Sequence, residues 1–362
     1  MPRKPAKGRA DKIKDALLSR KQLAKAKGLS TGSTLLNLAC SGDPDYGLLA
    51  GQYYYFVGDS ASGKSFLTLT CLAEASIDPG FAKYRFIHDD AENGTLMDIG
   101  KFFGAEVLRR MEPPSRKGAS TTVEEFYFNL DDAFNTGRPF VYILDSMDCI
   151  FPEEEAKKFQ KVKRASRDQE ETTGSYGTAK AKLNSSNLRR AIPRLRETGS
   201  ILIIISQTRD NVGFGSQYKP KTRAGGKALT FYACIEMWSS IREKVKRRAK
   251  GKDRQIGIVA RLEVKKNRQN GRLPPVDVPI YWSSGIDDTG SMVRWLVEER
   301  AWKREGESGP ITVEEWGVSL PEEELVAYVE EAGLEGDLKE IVTRTWREIE
   351  EACRVERKSR YS

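Results

Sequence analysis

A chain of 362 residues that is 39% hydrophobic and 31% charged can bury one large core with a smaller domain beside it, and its net charge of +8 favours a polyanionic partner. The longest fully apolar run, Ile201 to Ile205, is far too short to cross a bilayer, and no apolar segment follows the basic start to make a signal peptide, so the expected location is cytoplasmic. Five cysteines without metal-ligand spacing and a single histidine, His88, argue against a zinc site, a disulfide framework and histidine-based triad chemistry.

The N-terminus is a basic arm, with Arg3, Lys4, Lys7, Arg9, Lys12 and Lys14 among ten cations set against Asp11 and Asp15. Such an arm is either a solvated tail or a nucleic-acid contact. Ile13, Ala16, Leu17 and Leu23 give 11–26 a weak amphipathic helix that could pack on a neighbour, and Gly28 breaks it. Ser30-Thr31-Gly32-Ser33 then opens a short helix over 34–39, and a turn-rich stretch leads to an apolar, aromatic strand over 52–57.

That strand runs into Gly58-Asp59-Ser60-Ala61-Ser62-Gly63-Lys64-Ser65, which fits the phosphate-loop spacing, and helical residues follow from Phe66 to Ala75. The glycines let backbone N–H groups turn towards phosphate oxygens, Lys64 neutralises the β- and γ-phosphates, and the Ser65 hydroxyl is offered to Mg²⁺. ATP and Mg²⁺ are the cofactors this implies. A chance match in a Gly/Ser-rich turn is the bland alternative, and the strand before and helix after weigh against it.

A second strand, 84–88, ends in Asp89-Asp90-Ala91-Glu92, and open parallel sheets place their ligands at that end. Glu92 is the candidate to orient and polarise the water that attacks a γ-phosphate; an exposed acidic turn or helix cap is the other reading. Thr122 and Glu125 resemble a capping box ahead of an aromatic core helix that stops at Gly137. Phe140-Val141-Tyr142-Ile143-Leu144-Asp145 is a buried parallel strand whose terminal Asp145 should hold Mg²⁺, directly or through water. A polar, mobile loop is expected over 153–182, then a basic helix over 183–196 and a very apolar strand over 200–206 with Gln207 at its end.

After Gln207 the apolar periodicity stops. Arg209, Val212, Gly213, Phe214, Tyr218, Lys219, Lys221, Arg223, Gly225, Gly226 and Lys227 interleave cations, aromatics and glycines, as suits a loop meeting phosphates with charge and bases with stacking. Three hairpin strands are predicted next, about 234–241, 256–265 and 276–282, separated by a basic turn at 244–254 and by Lys265-Lys266-Asn267-Arg268. Beyond Gly290 the pattern reads as a small, mainly helical domain, with Thr312 to Glu315 capping its first helix.

Taken in order, Ser30 to Ser33, Gly58 to Ser65, Asp90-Ala91-Glu92, Ile143 to Ser146, Ser206-Gln207 and the stretch Gly225-Gly226-Lys227-Ala228-Leu229-Thr230-Phe231-Tyr232-Ala233 resemble the bacterial RecA recombinase family. The resemblance implies an α/β phosphate-loop ATPase core over 30–286, with a mostly parallel sheet extended by antiparallel strands, a basic arm at 1–29 as a possible oligomerisation element and a helical domain at 287–362. It implies a cytoplasmic enzyme of a bacterium or a phage-infected cell that forms a helical filament on single-stranded DNA, pairs it with a homologous duplex and exchanges strands under ATP hydrolysis. Single-strand-binding and mediator proteins are further implied partners. Carried over by position, Glu92 activates water, Asp145 supports the metal, Gln207 senses the γ-phosphate and couples it to the loop, and Lys266 and Arg268 reach the ATP of the adjacent protomer. Two departures stand out: the N-terminal segment is shorter and shows no evident strand, and Ile99 stands where the family sets a tyrosine against adenine. A branch-migration motor, a hexameric helicase and an ATP-dependent filament scaffold are the alternatives.

Overall fold

The computed structural model describes residues 27–158, 178–210, 221–223, 226–357 and 360. The expected helix of the basic arm and Val212, Gly213, Phe214, Tyr218, Lys219 and Gly225 lie outside the described residues.

A short pair, β1 (Gly28–Leu29) and β2 (Leu48–Leu49), brackets α1 (Thr34–Ser41), whose first turn the Ser33 hydroxyl caps. β3 (Tyr53–Gly58) feeds α2 (Lys64–Ile77); β4 (Arg85–Asp90) leads through α3 (Ile99–Phe103) and α4 (Ala105–Arg110) to β5 (Met111–Glu112). α5 (Val123–Asn135) opens on the predicted capping box between Thr122 and Glu125, and β6 (Phe140–Asp145) follows it. Then come α6 (Thr178–Thr198), β7 (Ile201–Asp210), β8 (Lys221–Arg223), α7 (Lys227–Tyr232), and the strands β9 (Ile235–Ala249), β10 (Lys252–Asn267), β11 (Pro275–Tyr281) and β12 (Gly285–Ile286). The chain closes with α8 (Asp288–Glu298), β13 (Lys303–Arg304), β14 (Ile311–Val313), β15 (Val318–Leu320), α9 (Glu322–Ala332) and α10 (Glu335–Ala352).

Ten strands form the central sheet, in the order β12-β11-β10-β9-β3-β7-β6-β4-β5 with β8 paired to β7 off that path. From β5 across to β9 the neighbours are parallel; from β9 to β12 they are antiparallel. This is the expected α/β architecture. Alternation along each strand divides its side chains between two cores: Tyr54, Phe56, Val141, Ile143, Ile201 and Ile203 face α1 and α2, while Tyr53, Tyr55, Tyr142, Leu144, Leu202 and Ile204 face α5 and α6. Because both faces are packed, truncating one of these side chains to alanine should cost about 2–5 kcal/mol. The parallel strands end together, which brings Gly58, Asp90, Asp145 and Gln207 to one edge.

Four expectations are corrected. β7 does not end at Gln207 but runs to Asp210, because the returning β8 pairs with it from Thr208↔Arg223 to Asp210↔Lys221. The basic segment 244–254 is not a turn: β9 and β10 stay paired out to Ala249↔Lys252, and the reversal is made by Lys250 and Gly251, both at positive φ. α6 starts at Thr178, within the segment read as loop, since Thr-Ala-Lys-Ala-Lys is compatible with helix and continues the following one. Thr312 caps no helix; Ile311 and Val313 are buried on either side of it, a period of two that makes 311–313 a strand paired to β15. Apolar residues of this C-terminal segment, among them Val293, Trp302, Ile311, Val329 and Val342, join the cluster that covers α1 and α2. Among the described residues no helix is long and apolar enough to cross a membrane.

Candidate nucleotide site

The phosphate loop spans the gap between β3 and α2, and its glycines answer to their neighbours. A Cβ on Gly58 would lie 2.3 Å from the Ser239 carbonyl oxygen of β9, and Gly63 turns at φ +86° with the Ile280 side chain 2.6 Å from where its Cβ would be. Ser239 Oγ also donates to the Ser62 carbonyl (2.6 Å), and its carbonyl accepts the Asp59 N–H (3.2 Å). Ser60 and Ala61 are exposed, whereas Ser62 is buried and donates its hydroxyl to the Asp59 carbonyl. Lys64 Nζ folds back onto the carbonyls of Gly58 (3.1 Å) and Asp59 (2.6 Å). Phe66 turns its ring towards Phe102 and Phe103, so what it can give a phosphate is its N–H in the first turn of α2.

Ser65 donates to Asp145, joining the two residues expected at Mg²⁺. Burial pushes the Asp145 carboxyl up to about 6; the Ser65 bond opposes this, and the charges of Glu92 and Asp90 add to it. Burial lowers the Lys64 ammonium, with Asp145, Glu92, Asp59 and Asp148 pulling it the other way. One buried cation among four carboxylates, with a serine hydroxyl on the metal-side acid, fits a magnesium nucleotide: the phosphates would meet Lys64 and the loop N–H groups, and the cation would meet Ser65 and Asp145.

Glu92 Oε1 accepts from Ser146 Oγ (2.6 Å) and Gln207 Nε2 (2.8 Å), and its N–H donates to the Asp145 carbonyl (3.1 Å). The neighbouring acids are otherwise engaged. Asp89 is fully buried and accepts from the Ser120 N–H and hydroxyl and from Tyr142 OH, and Asp90 accepts the N–H groups of Gly94 and Thr95. The reading of this stretch as an acidic turn therefore fits Asp90, and Glu92 alone of the three reaches Gln207. His88 lies inside β4, buried and held below its usual range by burial.

Sequence reasoning missed Ser146, Asp148, Thr208 and Ser239. Ser146 and Asp148 follow the metal-side Asp145 and could have been suspected from that; Thr208 and Ser239 carry no signal, because their partners come from the pairing of β3 with β7 and β9. Ile99 is buried at the start of α3 and is not available to stack on a base.

Lys266 and Arg268 do not join this site. Lys266 pairs with Glu236, which pairs with Tyr55, about 10 Å back along β3 from Gly58. Lys266 Nζ donates to the carbonyls of Thr230 and Phe231 (2.9 Å to the latter), and Arg268 donates to the Phe231 carbonyl at 2.8 Å. They thus cap the C-terminus of α7, which packs on the sheet face opposite α2. Burial and the charge of Arg268 bring the Lys266 ammonium down to about 8. On the loop side, Gly226 sits at φ +82° with Ala181 of α6 too close for a Cβ, and Lys227 is exposed. Of Arg209, Lys221 and Arg223 the backbone is described, as the neck formed by β7 and β8.

A family model for the RecA N-terminal domain matches residues 136–287, a span that takes in Asp145, Gln207, Lys266 and Arg268. Protein RecA of Chlorobium limicola is 28% identical over 284 residues, covering 77% of this chain and 72% of that protein. Protein RecA of Clavibacter michiganensis is 28% identical over 280 residues, 77% of this chain and 69% of the relative. Protein RecA of Leifsonia xyli is 28% identical over 282 residues, 76% and 69% of the two chains. Residues 136–287 are thus similar to the RecA N-terminal domain. Gly58 to Ser65 and Glu92 lie before the matched segment.

Proposed function

We propose that this chain is an ATP-dependent DNA recombinase: a DNA-stimulated ATPase that assembles on single-stranded DNA and promotes homologous pairing and strand exchange. The observation that carries this reading is the Glu92–Gln207 hydrogen bond, because Gln207 stands one residue before the neck of the loop rich in cations and aromatics. Bound magnesium ATP supplies the γ-phosphoryl group on which water acts.

The rest is done by the chain. Lys64, now on the carbonyls of Gly58 and Asp59, would meet the phosphate charge, and Ser65 with Asp145 would hold the cation. Glu92 orients the attacking water and takes its proton as a general base, held in place by the Ser146 hydroxyl. Gln207 shares its amide between Glu92 and the phosphate side, so an arrangement of Glu92 suited to hydrolysis and an arrangement of the loop suited to DNA favour one another. Lys266 and Arg268 serve the site of the next protomer in a filament, which their position on the far face of the sheet supports.

Steady-state hydrolysis with and without single-stranded DNA tests this, alongside strand exchange between a homologous single strand and duplex. A recombinase hydrolyses faster with DNA and exchanges strands; a branch-migration motor or helicase hydrolyses faster but does not exchange. DNA-independent turnover with filament formation would leave the scaffold reading standing.

A further inference from the structure

Thr208 is where the phosphate loop touches the neck of the DNA-facing loop. Its Oγ1 donates to Asp59 Oδ1, and its backbone pairs with Arg223 as the innermost rung of the neck. Asp59 is the second residue of the phosphate loop, tied by its N–H to Ser239 and by its carbonyl to Lys64 Nζ and Ser62 Oγ. From the other side of β7, Asp148, three residues past Asp145, accepts the Gln207 backbone N–H at 2.8 Å through Oδ2. Two carboxylates from two loops therefore hold two consecutive residues, Gln207 and Thr208.

A carboxylate is a costly choice at position 59. It adds negative charge beside Lys64, where phosphate is to bind, and so opposes the ligand. Its backbone contacts need no particular side chain, since any residue other than proline has the N–H and carbonyl. The carboxylate supplies a charged acceptor for Thr208, and such charge-assisted bonds are about twice as strong as neutral ones.

We propose that the Asp59–Thr208 bond is a coupling link, passing the position of the phosphate loop to the neck of the DNA-facing loop by a route separate from the Gln207 side chain, with Asp148 fixing the strand between them. Thr208 is a positioning residue: it acts through Asp59 and the neck. The link rests on the reading of this chain as a DNA-stimulated ATPase. Coupling between sites is reciprocal, so single-stranded DNA must change nucleotide affinity by the same factor by which nucleotide changes DNA affinity.

The test measures that factor directly, as the affinity of the full chain for a slowly hydrolysed ATP analogue with and without single-stranded DNA. Thr208→Val, close in shape but without the hydroxyl, should cut the factor about tenfold, leave analogue affinity without DNA unchanged and leave the melting temperature unchanged. Thr208→Ser keeps the hydroxyl and should keep the coupling. Asp59→Asn keeps an acceptor and loses the charge, so the analogue should bind more tightly while the coupling factor falls part of the way towards that of Thr208→Val. If Thr208→Val keeps the unmodified factor, or Thr208→Ser loses as much as Thr208→Val, the link is overturned although the chain remains DNA-coupled. A fall in melting temperature matched by a fall in analogue affinity without DNA makes the bond merely structural and also overturns it. Absence of coupling in the unmodified chain removes the ATPase reading, and the link with it.

Discussion

At the carboxyl ends of β3 and β6, within β7 and in the turn after β4, Lys64, Asp145, Gln207 and Glu92 share one network of charges and hydrogen bonds, whereas the side chains of Lys266 and Arg268, about 10 Å back along the strands, bond to the backbone end of α7. The first group is buried or half-buried, and within it the charges of Lys64 and Asp145 shift each other's protonation; Arg268 is exposed and lies against the carbonyl and ring of Phe231. The contrast teaches that one copy of the chain gathers the groups of the proposed hydrolytic site at one end of its sheet and keeps two cations apart from it at the other. In the proposed filament the two would come from neighbouring copies.

Removing the central cation should do most to break that contrast. Lys64→Ala is expected to abolish ATP-dependent DNA binding, because the phosphates lose their main cation; binding that still responds to ATP in a filter or anisotropy assay would refute the site. Glu92→Gln should separate binding from chemistry, leaving ATP binding and assembly intact while turnover falls by about 10² to 10⁴, as is usual on losing a general base. Asp89 cannot stand in for it, since three donors already occupy its carboxylate.

At the far end the effect is smaller and shared between copies. Arg268→Ala should lower turnover and ATP-dependent assembly together, and mixing it with Glu92→Gln protein should regain some DNA-stimulated hydrolysis at interfaces that pair an intact Glu92 with an intact Arg268. A mixture as inactive as its components argues that the end of α7 is all that Arg268 serves.

Smaller still is the stability stored at the metal side. Asp145 titrates near 6 in the folded chain against 3.8 as its ordinary value, so without metal the folded state keeps a proton that the unfolded state releases. Stability should fall as pH rises from about 4 to about 6 and stay lowered above that. Asp145→Asn should therefore raise the melting temperature of the metal-free chain at pH 7.5 by a few degrees, a gain on the order of 3 kcal/mol that disappears below about pH 4. Magnesium should stabilise the unmodified chain and not the variant. The smallest effect expected is in the loop: alanine at Lys219 or Lys221 should weaken DNA binding regardless of sequence and reduce its salt slope by roughly one unit.

Local patterns in the sequence were enough for the phosphate loop, the three apolar strands of the parallel half, the capping box at Thr122, Asp145 at the end of its strand and Glu92 just past the end of another. Spacing, period and caps act over a few residues, so they survive in one dimension. The tertiary structure decided the rest. The polar cations from 244 to 254 read as a turn because nothing local says that two strands outrun their sheet, and Thr312 read as a cap because a three-residue strand is too short to show its period. That Asp89 is structural and Glu92 is free to meet Gln207 depended on Ser120 and Tyr142, residues 31 and 53 positions away. Which carboxylate is engaged and which faces the phosphates is fixed by donors that the sheet brings across from other strands, and register between distant strands is a property of the packed core rather than of any one segment.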